Sequence, residues 1–170
     1  MERLWSPWRS QYISTFGTSA EYQGCIFCDA YAAKNDDAAY LVQRHEHCFT
    51  IMNLYPYNSG HLLIVPNTHT NTLVDLMQVE YYEMMDVVRV WLRVLKDSMN
   101  PQGFNIGTNI GRSGGAGIDT HVHMHIVPRW QGDSNFMPVI GETKVISEDM
   151  RETMMRLRKS YNRIIQSDKI

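Results

Sequence analysis

Residues 120–128 carry the pattern that most constrains the fold, because three histidines alternate there with three apolar residues. The histidines are His121, His123 and His125, and the apolar residues are Val122, Met124 and Ile126. A period of two places the two sets on opposite faces of a strand, so the apolar face can lie on a core. Pro128 lacks an N–H group, and we expect the strand's hydrogen-bond ladder to end there.

A glycine-rich segment, residues 111–117, directly precedes this strand. Glycine backbone lets N–H groups approach an anion closely, and imidazole acts as nucleophile, acid, base or metal ligand near neutral pH. The combination indicates a phosphate site that carries its own nucleophile. Two simpler interpretations stay open at this point: a histidine-rich surface strand and a simple metal site.

The motif H-x-H-x-H followed by two apolar residues resembles the signature of the histidine triad family, which contains nucleotide hydrolases and nucleotidyl transferases. Residues 54–66 are similar to the family's upstream turn and strand, and they include His61. Residues 127–136 resemble the branch that contains bacterial diadenosine tetraphosphate phosphorylases. The resemblance covers most of the chain and implies a homodimer made partly through a long helix.

The resemblance also assigns roles to individual residues. It implies that His123 is the nucleophile, that His125 donates to an α-phosphate oxygen, and that His61 helps to bind phosphate. Simpler alternatives stay open for three residues. His61 can be a core histidine, and Asn53 and Asn109 can be turn residues without a substrate contact. The implied substrate contacts are Asn53 at the ribose, Leu54 with Ile26 around the base, Asn109 at the phosphate edge, the backbone N–H groups of Gly114, Gly115 and Gly117, and Trp130.

The loop departs from the family at one point, since relatives often carry a serine just before the triad. Residues 116–118 of this chain contain no serine. Ser113 or Thr120 can supply a hydroxyl group instead, and Arg112 and Arg129 can hold a second anion, because guanidinium groups match phosphate geometry. The departure leaves open which leaving group and which acceptor the site prefers.

Cys25 and Cys28 form a C-x-x-C pair that is typical of a metal site or a redox pair. No thioredoxin-like βαβ pattern surrounds the pair, and zinc in structural sites takes four tetrahedral nitrogen and sulfur ligands. The order of cysteines and histidines resembles the structural zinc site of galactose-1-phosphate uridylyltransferase and several bacterial triad proteins. The ligands implied by that resemblance are Cys25, Cys28, His69 and His121.

The length of 170 residues suits one domain over residues 1–170, with an aromatic N-terminal arm at 1–20 and a C-terminal helix in 147–170. A net charge of −2 argues against nucleic acid as a partner. The sequence has no apolar run long enough to span a bilayer and no secretory signal, so we expect a cytoplasmic protein without a membrane partner.

Periodicity predicts an α+β fold with a mainly antiparallel sheet. The expected strands cover residues 40–44, 48–52, 61–65, 104–109 and the triad segment, with a further short strand at 144–146. A long helix is expected over 78–99 and a second helix over 148–166. We expect a buried stripe on the long helix and solvated side chains for His45 and His47. The expected stripe is Tyr81 or Tyr82, Met85, Val88, Leu92, Leu95 and Met99.

The resemblance to the histidine triad family implies an enzyme that cleaves dinucleoside polyphosphates through a nucleotidyl-histidine intermediate, with phosphorolysis favoured over hydrolysis. A nucleoside phosphoramidate hydrolase is one alternative. The others are a nucleotide-binding regulatory module with low turnover and a protein that only senses a metal.

Overall fold

The computed structural model describes residues 24–133 and 149–167. Its strands form one antiparallel sheet in the order β1-β2-β3-β5-β4, with two helices on one face and a short helix on the other. This architecture confirms the predicted α+β fold. In chain order the elements are α1 (Ile26–Ala32), β1 (Leu41–Arg44), β2 (Cys48–Met52), β3 (Leu62–Pro66), α2 (Gln78–Met99), β4 (Gly103–Thr108), a 3₁₀ turn (Arg112–Gly114), β5 (Met124–Arg129) and α3 (Met150–Ser167).

Two expectations concern segments that lie outside the described residues: the N-terminal arm at 1–20 and the short strand at 144–146. Within the described ranges, the helices are all too short or too polar to cross a lipid bilayer.

The two faces of the sheet carry separate cores, as alternation along the strands requires. Met124 and Ile126 are buried with the apolar faces of α2 and α3. On the opposite face, Phe49 and Leu63 pack with Phe27 from α1. The histidine side of the triad segment therefore faces the α1 side of the sheet.

Helix α2 has the predicted bounds, but the predicted stripe is rotated. Asn100 ends the helix in the left-handed conformation, and Pro101 follows it. Tyr82 and Met85 are exposed. Apolar residues occur on more than half of this helix's circumference, and only those that pack against the sheet and α3 are buried. Trp91 lies at the centre of the buried face, where its indole N–H donates to Thr50 Oγ1 at 2.7 Å. The buried apolar residues are Met84, Val87, Val88, Trp91, Val94 and Leu95.

The triad strand differs from the prediction at both ends. It begins at Met124, so His121 and His123 lie in the irregular segment before it. Pro128 does not end the ladder: it lies inside β5 opposite Phe104 of β4. Strand β3 pairs with β5 only as far as Ile126, and the carbonyl of Pro128 accepts a hydrogen bond from Asn58 instead. The backbone position of Pro128 that lacks an N–H therefore faces the β3 side, where the pairing with β3 has already ended.

Helix α3 contacts β1, the outer strand of the sheet within the described residues. Arg158 donates to the carbonyl oxygens of Leu41 at 2.6 Å and Val42 at 3.1 Å, and it also pairs with Asp37. His45, expected to be solvated, is half-buried with its ring edge against Tyr161.

Candidate active site and metal centre

A cavity of about 700 Å³ crosses the α1 side of the sheet. It runs from the histidines of the triad segment over Leu63 of β3 and Ile51 of β2 to Tyr40, and α1 covers it through Ile26. Most of the predicted site residues line this cavity, although they come from five separate segments. The predicted residues in its wall are Ile26, Asn53, Leu54, Asn109, Gly115, Gly117, His123 and His125.

The proposed nucleophile has a defined orientation. His123 Nδ1 lies 2.8 Å from the carbonyl oxygen of His121, which can only accept, so Nδ1 carries the proton. Its Nε2 is then the nitrogen with a lone pair. Burial lowers the pKa of His123 below its ordinary value, so the imidazole is neutral at pH 7, as a nucleophile requires. The ring of Phe27 packs against it with the centroids 4.9 Å apart.

His61 and His125 form a directed pair of imidazoles. The backbone N–H of Tyr57 donates to His61 Nδ1 at 3.0 Å, so neutral His61 carries its proton on Nε2. That Nε2–H points at His125 Nδ1, 2.9 Å away. His125 therefore carries its own proton on Nε2, and this N–H can donate to a substrate oxygen.

The structure places His61 behind the cavity wall rather than in it. The side chain is fully buried and does not line the cavity, since it lies behind His125. It contacts the cavity wall through its hydrogen bond to His125. Asn53 belongs to the same arrangement: its Oδ1 accepts from the N–H of Tyr55 at 3.0 Å, and its Nδ2 lies 3.3 Å from His61 Nδ1.

Register explains why these distant residues meet. Leu63 of β3 lies directly opposite His125 of β5, so His61, two residues earlier, reaches the neighbourhood of the triad. Gly60 makes the turn into β3 with a φ of +72°, a conformation that glycine adopts without strain.

The glycine loop is more self-contained than predicted. The N–H groups of Gly114 and Gly115 donate to the carbonyls of Gly111 and Arg112, so these two groups are engaged within the loop. Gly115 and Gly117 line the cavity, and Gly114 does not. Fewer backbone N–H groups of this loop are therefore available to a phosphate than the sequence indicated.

Three other predicted contacts are directed elsewhere. Trp130 does not line the cavity, and its backbone N–H donates to Asp133 Oδ2 just after β5. Arg129 forms an ion pair with the same Asp133, with Nε 2.6 Å from Oδ2. Arg112 pairs with Asp119 at 2.8 Å. Both guanidinium groups thus have carboxylate partners outside the cavity wall.

The four predicted metal ligands converge at one end of α1. Cys25, Cys28, His69 and His121 place their ligand atoms within 4.8 Å of one another. Sulfur-to-nitrogen distances of 3.3 Å for Cys25–His121 and Cys28–His69, and of 3.7 Å for Cys28–His121, bracket the value of about 3.5 Å expected for a tetrahedral zinc site. The donor set and its spacing therefore fit a metal ion.

His121 joins the metal centre to the active site. Its Nε2–H donates to the carbonyl of Pro66 at 3.0 Å, which leaves Nδ1 with the lone pair that a metal ligand needs. Burial lowers the pKa of His121 to about 4, so this lone pair is present at pH 7. The carbonyl of the same residue accepts a hydrogen bond from His123, so His121 contacts both the candidate metal cluster and the triad histidine in the cavity wall.

Several residues of the site were not predicted. Tyr57 packs on His125 with the rings nearly parallel, and Phe27 contacts both His121 and His123. Lys34 and Asn35 lie at the far end of the cavity. The position of Phe27 between the two cysteines was a usable signal, because residues that flank a metal knuckle lie close to its ligands.

Comparison with known proteins agrees with this geometry. The family model of the HIT domain matches residues 34–132, more than half of the chain. The protein named AP-4-A phosphorylase from Mycobacterium tuberculosis H37Rv is 35% identical over 168 residues, which cover 96% of this chain and 86% of that protein. The chain belongs to the HIT family. This confirms the assignment to the nucleotide hydrolases and nucleotidyl transferases of the histidine triad.

Solved HIT structures share the fold. A zinc-bound histidine triad protein from Mycobacterium smegmatis superposes with a TM-score of 0.69 at 25% identity, covering 85% of this chain and 97% of that one. A histidine triad nucleotide-binding protein from Sulfolobus tokodaii gives a TM-score of 0.67 at 27% identity, with 82% and 93% covered.

Proposed function

We propose that this HIT protein cleaves dinucleoside polyphosphates at a phosphoanhydride bond through a nucleotidyl-His123 intermediate. The observation that carries the proposal is the pair of opposite tautomers in the cavity wall. His123 presents a lone pair on Nε2, and His125 presents an N–H beside it. One group can attack phosphorus while the other stabilises the charged oxygens. The name of the relative from M. tuberculosis supports the same substrate class.

The first step joins His123 Nε2 to the α-phosphorus and breaks the bond between that phosphorus and the bridging oxygen. The leaving polyphosphate takes the bonding electrons, and the Nε2–H of His125 donates to an α-phosphate oxygen. The neutral His61 holds His125 in the tautomer that can donate.

In the second step an acceptor oxygen attacks the phosphorus and releases His123. Inorganic phosphate as acceptor yields a nucleoside diphosphate, and water yields a nucleoside monophosphate. We favour phosphate, because residues 127–136 resemble the phosphorylase branch and the relative is named a phosphorylase. In the free protein Arg112 and Arg129 are paired with Asp119 and Asp133, so an acceptor anion has to compete for them.

The test is to incubate diadenosine tetraphosphate with the protein, with and without inorganic phosphate, and to separate the products. Phosphate-dependent release of ADP with ATP supports phosphorolysis, whereas AMP with ATP in the absence of phosphate indicates hydrolysis. Cleavage of adenosine phosphoramidates alone would assign the protein to the phosphoramidate hydrolases. Binding without a covalent adenylate in a single turnover would indicate a regulatory module.

We also propose that Cys25, Cys28, His69 and His121 hold a structural zinc ion. Four protein ligands leave no open coordination position, so the ion would contribute stability by cross-linking α1 to the triad segment. Metal analysis of protein purified without chelators should find about one zinc per chain. His69→Ala should lose the metal, and Cys48→Ser, which removes a buried thiol outside the cluster, should keep it.

We also propose that the chain forms a single domain and that two copies of it form a homodimer. The edge strand β4 exposes Ile106, and α2 exposes Met85 on its outer face. Exposed apolar side chains beside the outer strand of the sheet that the described residues form favour association. Light scattering at micromolar concentration should give twice the mass of the chain, and a monomer there would contradict the proposal.

A further inference from the structure

Two tyrosines that line the cavity beside the triad are partly exposed. Tyr55 is 53% exposed and Tyr57 is 41% exposed, and both line the cavity. Both lie in the loop between β2 and β3, which is held by backbone hydrogen bonds such as that from Asn53 N–H to the carbonyl of His61 at 3.0 Å. A rigid loop that presents large apolar side chains to solvent is a common feature of ligand-binding surfaces.

The position of Tyr57 relates this surface to the reacting end of the cavity. Its ring lies 5.8 Å from that of His125 with an angle of 11° between the planes. His125 is the residue whose N–H is proposed to meet the α-phosphate, so Tyr57 flanks the phosphate end of the cavity. The rest of the cavity extends away from it, over Leu63 and Ile51 and beneath α1, and offers the apolar room that a first base requires.

We propose that Tyr55 and Tyr57 form a stacking platform for the base of the leaving nucleotide. This proposal rests on the proposed function, because it assigns the second half of a dinucleoside polyphosphate. An aromatic ring recognises the flat face of a base, and stacking tolerates different bases. The nearby guanidinium of Arg129 is paired with Asp133, so the platform is aromatic rather than cationic and suits a base better than a further phosphate.

A purely structural role for Tyr57 makes a different prediction. The ring also packs on His61, with the centroids 4.8 Å apart, so its loss can disturb the directed imidazole pair. Such a disturbance would slow every substrate by the same factor. A platform for the second base affects only substrates that possess a second base. The backbone N–H of residue 57 that fixes His61 is retained when the tyrosine is replaced by alanine or phenylalanine.

The experiment compares diadenosine tetraphosphate with adenosine 5′-tetraphosphate, which has the same phosphate chain but no second nucleoside. The wild-type protein should show a higher kcat/KM for the dinucleotide, by about fivefold or more. Tyr57→Ala should reduce this preference by at least about threefold, Tyr55→Ala should reduce it less, and Tyr57→Phe should retain it. Tyr82→Ala, which removes a tyrosine that is 56% exposed on α2, should leave the preference unchanged.

Equal loss of kcat/KM on both substrates in Tyr57→Ala would overturn the platform and leave the proposed function intact. An unchanged preference would overturn it as well. Titration calorimetry of the same two nucleotides with the His123→Asn protein supplies a readout that does not depend on cleavage. Tighter binding of the dinucleotide that is lost with Tyr57→Ala supports the platform even if neither compound is cleaved, and equal binding refutes it.

Discussion

Replacing Gly60 with alanine perturbs the turn that delivers His61, and its cost can be worked out from the structure. Gly60 has a φ of +72°, and a left-handed conformation costs a residue with a Cβ about 1–2 kcal/mol. An added Cβ would lie 2.6 Å from Met99 Sδ and 3.1 Å from its Cε. Overpacking of this kind costs about 1–3 kcal/mol, here near the lower limit because the thioether end can rotate away.

The free energy of unfolding of Gly60→Ala should therefore fall by about 2–3 kcal/mol, which lowers Tm by about 4–12 °C for a chain of this length. Urea unfolding followed by tryptophan fluorescence measures it. Gly103→Ala is the matched control, because its added Cβ meets no atom within 4 Å, and it should change stability by less than about 0.5 kcal/mol.

A double variant separates the two contributions. Met99→Ala removes the clash but not the backbone strain, so the coupling energy between the two substitutions should be about 1 kcal/mol. A Gly60→Ala protein within about 0.5 kcal/mol of the wild type would refute the argument from the positive φ.

Four further outcomes follow from the same contacts. His123→Asn should abolish turnover while the far-ultraviolet circular dichroism spectrum and the metal content stay unchanged; a tenth of the wild-type rate or more would exclude it as the nucleophile. His121→Ala should lose both metal and activity, because its ring belongs to the cluster; a metal-loaded variant would show that the ligand set is wrong. Trp91→Phe should cost about 1–3 kcal/mol, since Thr50 Oγ1 loses its buried donor, and thermal unfolding checks it. The Ser160 hydroxyl and Arg163 hold the pKa of Asp97 below its usual range, so its carboxylate stabilises the fold above about pH 4 and this contribution is lost as the pH falls further; Asp97→Asn should lower Tm at pH 7, with a difference from wild type that shrinks in acid.

The sequence was sufficient to predict features that depend only on residues close together along the chain, such as strand faces and helix ends. Alternation over residues 120–128 predicted which side chains share a face of the strand. Within β5 this is confirmed, because Met124 and Ile126 pack in the core with α2 and α3 while His125 lines the cavity on the other face. Helix α2 has the predicted bounds, because Pro101 excludes the helical conformation from the residue before it. The histidine spacing and the glycine loop together were specific enough to indicate the family.

The roles inside the site depended on contacts between distant segments. No local pattern shows that His61 donates to His125 across 64 residues, or that Tyr57 supplies the N–H that fixes the tautomer. These follow from the register of β3 against β5, which is set when the whole sheet packs. The same applies to the arginines, whose carboxylate partners could not be read from the sequence.

The sequence by itself determined the periodicities, the helix end and the set of histidines and cysteines available for chemistry. The tertiary structure alone decided which nitrogen of each imidazole carries the proton, and therefore which of the proposed roles each imidazole can take. The physical reason is that a histidine's role depends on which nitrogen carries its proton. That proton is assigned by a hydrogen-bond partner: the carbonyl of His121 for His123, the carbonyl of Pro66 for His121, and the N–H of Tyr57 for His61.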